Sequence, residues 1–347
     1  MRGGRAFTKP LPFMLGTNES NAYGLLASAL AALQPIDMEW CRCEVPWNYS
    51  KGSAPAFEST PGTYSSSAIS FIVSQIATMT TYGFKPLLTF DTNAGGPGLA
   101  STYTSGVPVT PAQYGTAAGE LVSMLAAQGL TGLHIEMFNE PDGSSQAQPV
   151  ALLVEAYAAA YAAMKSADPT CTVHGLTLEA TMSAGTSGNV YYNSFVAAAS
   201  PVAPSAFKGT YWDIVDIHNY SNDNSFVTDA SPFFVGPSGY NMFDGLAFFR
   251  QNMLSHGDSS PIWMTEVGWP NGSAGVMTPQ LQAQFYQNFL EGLSGYDALN
   301  GVPFSQYLLC VIQFAADNAG ANWGVMGGSD DTSIAIPIFT QLVSGVA

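Results

Sequence analysis

The chain has 347 residues, with 9 Lys and Arg against 25 Asp and Glu, so its formal net charge is −16. This length suits one large α/β domain or two ordinary ones, and the 47% apolar fraction is enough to bury a core, which excludes a disordered chain. A chain this acidic repels phosphate, and three of its nine basic residues lie in the first nine positions. We therefore expect no nucleic-acid partner and no anionic membrane surface, but a neutral or weakly charged ligand.

Charged residues make up only 10% of the chain, so Ser, Thr, Asn, Gln and Gly must cover its surface. This composition is typical of extracellular hydrolases, and we expect secretion, with a cytoplasmic location as the alternative. The N-terminal MRGGRAFTKP has charge but no apolar stretch, which indicates either no secretion by the signal-peptide route or a signal already removed. We expect residues 1–10 to be flexible. No apolar run approaches the roughly 18 residues that a membrane span requires.

Short apolar runs alternate with Ala-rich stretches along the whole chain. The runs predict eight strands: Phe13–Thr17, Ile36–Arg42, Lys85–Phe90, Leu133–Phe138, Thr172–Leu178, Ile214–His218, Pro261–Thr265 and Tyr307–Phe314. The Ala-rich stretches predict helices at Ala22–Leu33, Ser66–Tyr82, Pro111–Gln128, Val150–Ser166, Val190–Ala199, Tyr240–Ser255 and Pro279–Ser294, and Ile334–Val343 completes the set.

Local signals support these boundaries. Thr110-Pro111 and Thr278-Pro279 each pair an N-cap hydroxyl with proline at the first helical position. Gly83, Gly129 and Gly295 stand where helices should end. Strict alternation of eight strands with helices predicts a single-domain (β/α)8 TIM barrel over residues 1–347, because an open doubly wound sheet would normally carry a GxGxxG turn after its first strand.

Two glutamates lie at the C-terminal ends of predicted strands, where the active sites of such barrels lie. Glu140 follows the fourth strand, and Glu266 follows the seventh. Strands three apart in an eight-stranded barrel bring such side chains across the mouth from one another. A pair of this kind can hydrolyse a glycosidic bond, and a retaining enzyme needs its carboxyl groups about 5 Å apart.

The motif Asn139-Glu140-Pro141 after strand four, with Glu266 after strand seven, resembles clan A glycoside hydrolases, the retaining (β/α)8 superfamily. The longer string from Glu136 to Asp142, the stretch WDIVDIHNY at 212–220 and the stretch PIWMTEVGWP at 261–270 are similar to family 39 and its relatives. The resemblance implies that Glu140 is the acid/base and Glu266 the nucleophile. One carboxyl group must then be protonated while the other is ionised, since like charges this close push their pKa values apart.

The resemblance also implies supporting roles. Asn139 matches an asparagine that hydrogen-bonds the sugar 2-hydroxyl, and His218 and Tyr220 match a histidine and a tyrosine near the nucleophile. Arg42 ends predicted strand two, where a buried guanidinium needs a carboxylate partner. Glu136, one turn below Glu140, and Glu266 are the two candidates, and we place Arg42 and Glu136 behind the reacting groups.

Sugar rings stack on aromatic faces, and three tryptophans fall in predicted loops on the catalytic rim: Trp47, Trp269 and Trp323. Trp323 lies beyond the strand-end position that the clan uses. Asp91 and Asn93 end the third strand and are either ligands of sugar hydroxyls or ordinary turn residues. The four cysteines, Cys41, Cys43, Cys171 and Cys310, are predicted to be small buried apolar residues, with a disulfide left open.

The predicted function is therefore a retaining β-glycoside hydrolase acting on a β-linked polysaccharide or oligosaccharide through a covalent glycosyl–enzyme. A transglycosylase would use the same residues, an inverting hydrolase would need a wider carboxyl separation, and a non-catalytic carbohydrate-binding barrel would be expected to have lost a carboxyl group. The chain has no HExxH motif and no histidine pair at helical spacing, so we predict neither a metal nor a cofactor.

Overall fold

The computed structural model describes residues 14–19, 26–34, 38–92, 98–103, 105–143, 148–179, 187–219, 242–268, 286, 289–290, 292–297 and 299–313. The predicted flexible N-terminus, residues 1–10, the Thr278-Pro279 helix start and the segment Ile334–Val343 lie outside the described residues.

Eight parallel strands close into a barrel, as predicted. In chain order they are β1 Met14–Glu19, β2 Trp40–Pro46, β3 Lys85–Asp91, β4 His134–Met137, β5 Thr172–Leu178, β6 Ile214–His218, β7 Ile262–Val267 and β8 Leu308–Gln313. Each strand pairs with its neighbours in the sequence, and β1 pairs with β8 to close the sheet.

Six helices are described around the barrel: α1 Leu26–Leu33, α2 Ser66–Thr81, α3 Pro111–Ala126, α4 Val150–Ala167, α5 Ser187–Ala198 and α6 Met242–Ser255. The start of α3 follows the sequence signal, because Thr110 accepts from the Gln113 amide at 3.3 Å and Gln113 accepts from the Thr110 amide at 2.8 Å. Gly83 and Gly129 adopt φ values of +87° and +81° beyond α2 and α3, a conformation that glycine adopts without strain.

The strand boundaries differ from the prediction at β2. The observed strand starts at Trp40 and continues to Pro46, four residues beyond the predicted end, because its backbone pairs with β3 as far as Asp91. Arg42 is therefore the third residue of the strand and not its last. Its buried position in the barrel interior agrees with the prediction that it lies behind the reacting groups.

An apolar cluster occupies the N-terminal end of the barrel interior. Trp40 and Trp263 meet edge to face with ring centroids 4.7 Å apart. They belong to a small cluster that also includes Leu87, Ile214, Cys310 and Ile312. Above this floor the interior side chains are polar, including Arg42, Glu136, His174 and Asp216, all with no exposed surface.

The larger core lies between the barrel and the helices, and α3 and α4 approach each other closely there. A Cβ atom added to Gly115 would lie 2.5 Å from Ala159 Cβ, and one added to Gly119 would lie 2.8 Å from Ala163 Cβ. Glycine at these positions lets the two helices approach without a steric clash.

The four cysteines are buried and none of them is in a disulfide, in agreement with their predicted apolar role. Among the helices that the structure describes, none is long and apolar enough to cross a membrane.

Candidate active site

Glu140 and Glu266 reach the same place at the C-terminal mouth of the barrel. Glu266 is the fifth residue of β7, and Glu140 stands three residues beyond the end of β4. Phe138 and Glu140 both have left-handed backbones, with φ of +59° and +47°. Such residues cost about 1–3 kcal/mol each and persist only where their surroundings hold them. Here the Gly143 amide donates to the Glu140 carbonyl at 2.8 Å, which closes the turn.

His218 stands between the two carboxyl groups. Its Nδ1 is 2.7 Å from Glu140 Oε1 and 3.5 Å from Glu266 Oε2. One carboxylate oxygen from each glutamate and the histidine nitrogen all lie within 4.8 Å of one another. The resemblance implied that His218 lies near Glu266, but its Nδ1 lies closer to Glu140. The Glu140 side chain is 21% exposed and that of Glu266 only 7%, so Glu140 is the carboxyl group with more access to solvent.

Arg42 joins the carboxyl groups of the barrel interior. Its Nε donates to Glu136 Oε1 at 2.9 Å and its Nη1 to Glu266 Oε1 at 2.6 Å. Its Nη2 also contacts Glu136 Oε1 and donates to Asn139 Oδ1 at 2.7 Å. The guanidinium therefore contacts both carboxylates that the sequence offered as its partners, and the asparagine as well.

The charges at the site follow from burial and from these contacts. Burial acts to lower the pKa of His218, but the charges of Glu266 and Glu140 and the hydrogen bond to Glu140 raise it overall. Burial acts to raise the pKa of Glu140, yet the hydrogen bond and charge of His218, with the charge of Arg42, bring it below its usual value. In the same way, Arg42 outweighs burial and lowers the pKa of Glu136.

Asn139 is held in place from two sides. Its side-chain oxygen accepts from Arg42, and its backbone amide donates to Asp91 Oδ1 at 3.1 Å. Asp91 is 2% exposed and also accepts from the Thr92 amide at 2.7 Å. Of the two interpretations of Asp91, the structure favours the turn residue over the sugar ligand.

The prediction for Trp47 is wrong, because this side chain has no exposed surface. Its Nε1 donates to Glu58 Oε2 at 2.6 Å, and its ring meets Tyr114 edge to face at 4.9 Å. Tyr103 donates to the same Glu58 oxygen at 2.9 Å. The loop after β2 folds back and makes Trp47 part of the core, so it offers no face to a sugar.

Four further predicted site residues lie outside the described residues: Asn93, Tyr220, Trp269 and Trp323. Their roles stay predictions.

Two acidic neighbours of Glu140, Asp142 and Glu179, were not among the predicted site residues. Asp142 Oδ1 accepts from the Glu179 amide at 2.8 Å, and burial raises the pKa of Asp142 to about 6. Burial and the charge of Glu140 also raise the pKa of Glu179. The signal was the position of Glu179 directly after strand five, the strand next to that of Glu140.

The Glu140, His218 and Glu266 donors are close enough together to hold a cation geometrically. The charges oppose that use. His218 Nδ1 faces Glu140 in a hydrogen bond, and the Arg42 guanidinium contacts Glu266, so a cation would meet two positive groups.

The fold and this site define a (β/α)8 barrel with a close carboxyl pair at its C-terminal mouth. Residues 103–304 match the family model described as glycosyl hydrolase catalytic core, which is more than half of the chain. The chain belongs to this family, and the expected resemblance to glycoside hydrolases is confirmed at that level. A search of curated proteins found no match.

Solved structures of glycoside hydrolases share the fold. A family 39 glycoside hydrolase from the gut symbiont Bacteroides cellulosilyticus WH2 has a TM-score of 0.60 and 18% identity, covering 96% of this chain and 64% of that one. A glucosidase from Croceicoccus marinus has a TM-score of 0.67 and 16% identity, covering 96% and 68%. An exo-β-1,4-mannosidase from Opitutaceae bacterium strain TAV5 has a TM-score of 0.64 and 14% identity, covering 96% and 59%. The chain thus spans less than two thirds of the length of the first and third of these proteins.

Proposed function

We propose that the protein is a retaining β-glycoside hydrolase in which Glu266 is the nucleophile and Glu140 the acid/base. The observation that carries the proposal is the carboxyl pair itself, with oxygens of Glu140 and Glu266 within 4.8 Å of each other. Retaining enzymes hold their carboxyl groups about 5–5.5 Å apart, whereas inverting enzymes need about 6.5–9.5 Å to admit a water molecule. The short separation favours direct attack by one carboxylate.

The contacts of Arg42 support the choice of nucleophile. A guanidinium 2.6 Å from Glu266 Oε1 favours the ionised carboxylate and fixes its orientation. In the first step Glu266 forms a bond to the anomeric carbon while the bond to the leaving oxygen breaks, and Glu140 gives that oxygen a proton. In the second step Glu140 takes a proton from water, whose oxygen displaces Glu266 from the anomeric carbon.

His218 changes the expected source of the first proton. Like-charge repulsion alone would protonate Glu140, but the imidazole between the carboxyl groups relieves that repulsion and has a raised pKa. We therefore place the proton of the first step on His218 in the free protein. His218 is then an imidazolium, whose Nδ1 lies 2.7 Å from Glu140 Oε1. Transfer across this hydrogen bond supplies Glu140 with the proton that it delivers to the leaving oxygen. The pair as a unit then determines the alkaline limb of the pH profile.

The proposed substrate is a neutral β-linked oligosaccharide or polysaccharide. The acidic groups at the mouth, with the chain's negative charge, disfavour an anionic sugar. Asn139, with its oxygen bonded to Arg42, has amide N–H donors to offer a sugar hydroxyl. The structural neighbours are named as a glucosidase and a mannosidase, which leaves the sugar open within this class. Secretion also stays a prediction.

The test is hydrolysis of a panel of aryl β-glycosides and β-glycans followed by proton NMR. We expect the β-anomer of the released sugar to form first, and an initial α-anomer would instead indicate inversion. Glu140→Gln should lose activity on the glycans, while Glu120→Gln, the same change at an exposed position of α3, should not. Products that carry a second sugar in place of water would indicate a transglycosylase, and binding without turnover a non-catalytic barrel.

A further inference from the structure

A chain of buried polar side chains continues from the candidate active site toward the floor of the barrel. It consists of Arg42, Glu136, Asp216, His174 and His134, and we call it the interior polar chain. Glu136, Asp216 and His174 have no exposed surface. They lie on the neighbouring strands β4, β6 and β5, with side chains inside the barrel. Of these five residues, the proposed reaction steps involve only Arg42, which lies nearest to Glu266.

Burial favours the neutral form of both histidines of the interior polar chain. Burial lowers the pKa of His174 well below its usual value and that of His134 to about 4. His174 Nδ1 lies 2.9 Å and 3.1 Å from the two oxygens of Asp216, and its Nε2 lies 2.9 Å from His134 Nδ1. A neutral His174 has one N–H to give. Because two carboxyl oxygens lie within 3.1 Å of Nδ1, we assign the proton to Nδ1, which then donates to Asp216 while Nε2 accepts from His134. The contact with Asp216 is then a hydrogen bond without an ion pair.

The carboxyl group of Asp216 also faces that of Glu136, and each affects the pKa of the other. Two facing carboxyl groups can form a hydrogen bond only if one of them keeps a proton. Glu136 Oε1 accepts from Arg42 and, at 2.9 Å, from Thr89, whereas Oε2 has no N–H or hydroxyl donor among the described residues. The proton therefore belongs to Asp216.

The surroundings of Asp216 agree with this assignment. The titratable groups that face it are Glu136, Arg42, His174 and the Cys310 thiol. Burial and the negative charge of Glu136 raise its pKa well above its usual value, and the nearby charge of Arg42 does not reverse this. The cation is already engaged by two carboxylates, Glu136 and Glu266.

We propose that Asp216 is a positioning residue, a carboxylic acid kept protonated inside the barrel, which donates a hydrogen bond to Glu136 so that Glu136 stays ionised and fixes Arg42 against Glu266. Only the last part of this inference, the placement of Arg42 against Glu266, rests on the proposed function. Were Asp216 ionised, Arg42 would face three buried carboxylates, and the barrel interior would hold one more negative charge that no cation compensates.

The test compares Asp216→Asn with Asp216→Leu. Asparagine keeps an acceptor for His174 and an N–H donor for Glu136, so we expect kcat/KM within about threefold of wild type and an unchanged pH profile. Leucine removes the donor and leaves Glu136 short of a partner, so we expect kcat/KM to fall by about tenfold or more, with a shifted pH profile. Retained kcat/KM and pH profile in a less stable leucine variant would mean a merely structural role.

Infrared spectroscopy tests the protonation state without any substrate. At about pH 8 the wild type should show the C=O stretch of a protonated carboxyl group, and Asp216→Asn should lose it. The absence of this band, or a displaced pH profile in the asparagine variant, would overturn the inference. Because the band does not depend on turnover, it would still report on Asp216 if the protein proved not to hydrolyse glycosides.

Discussion

Replacing Arg42 by lysine keeps one positive charge inside the barrel but removes the fork that joins Glu136 to Glu266. The guanidinium uses Nε for Glu136 and Nη1 for Glu266, on opposite sides of the group. A single ammonium group cannot reach both carboxylates. We expect it to stay beside Glu136, because this carboxylate has no exposed surface. We therefore expect Arg42→Lys to lose the contact with Glu266.

The size of the effect follows from that one contact. A hydrogen bond to a charged partner contributes about 1.5–3 kcal/mol, and about 1.4 kcal/mol corresponds to a factor of ten. Loss of the 2.6 Å bond to Glu266 should therefore lower kcat/KM by about tenfold to a hundredfold. Stability should fall less than the roughly 3–5 kcal/mol expected when a buried charge loses its only partner, because the lysine still neutralises Glu136.

The assay is kcat/KM for an aryl β-glycoside that the wild type cleaves, alongside urea unfolding. Lys85→Met is the control, since Lys85 pairs with Glu39 at 2.9 Å on the surface, with side chains 59% and 46% exposed, and should change neither quantity measurably. A folded Arg42→Lys variant with wild-type kcat/KM would refute the role given to the fork.

Three further predictions use other parts of the molecule. Glu140→Ala should slow substrates with poor leaving groups far more than activated aryl glycosides, because only the former need a proton; equal losses in kcat/KM would count against the assignment. The folded protein keeps a proton on Asp142 up to about pH 6, so the free energy of unfolding should fall as pH rises from about 4 to about 6. Asp142→Asn should remove that fall in urea titrations, and an unchanged pH dependence would contradict the burial argument. Gly115→Val should lower the free energy of unfolding by about 1–3 kcal/mol, because the new side chain would clash with Ala159 of α4. The control is Thr116→Val at the neighbouring exposed position. Equal stabilities of the two variants would mean that α3 and α4 can move apart without cost.

Most of the barrel could be predicted because strands buried on both faces are apolar runs that differ from the Ala-rich helices around them. Strand ends were less accessible. The true end of β2 depends on pairing with β3, which no local pattern contains, and this is why Arg42 was expected to be the last residue of its strand. Trp47 was misplaced for a similar reason, since its hydrogen-bond partner, Glu58, lies in a short strand, Glu58–Thr60, eleven residues later.

At the site, Glu140 and Glu266 could be found because chemistry in this fold concentrates at strand ends. Two details could not. His218 lies nearer Glu140 than Glu266 by less than an ångström, which depends on the left-handed turn at Glu140. Asp216 precedes His218 by two residues and so shares its face of β6, but an acidic residue in a strand gives no sign of whether it is ionised.

The most direct test of the account is to trap the covalent intermediate. A 2-deoxy-2-fluoro β-glycoside of an accepted sugar, with an activated leaving group, should inactivate the protein, and mass spectrometry of its peptides should find the fluorosugar on Glu266. Glu266→Gln should not be labelled. A sugar attached to Glu140 instead, or release of the leaving group with no labelled peptide, would contradict double displacement through Glu266.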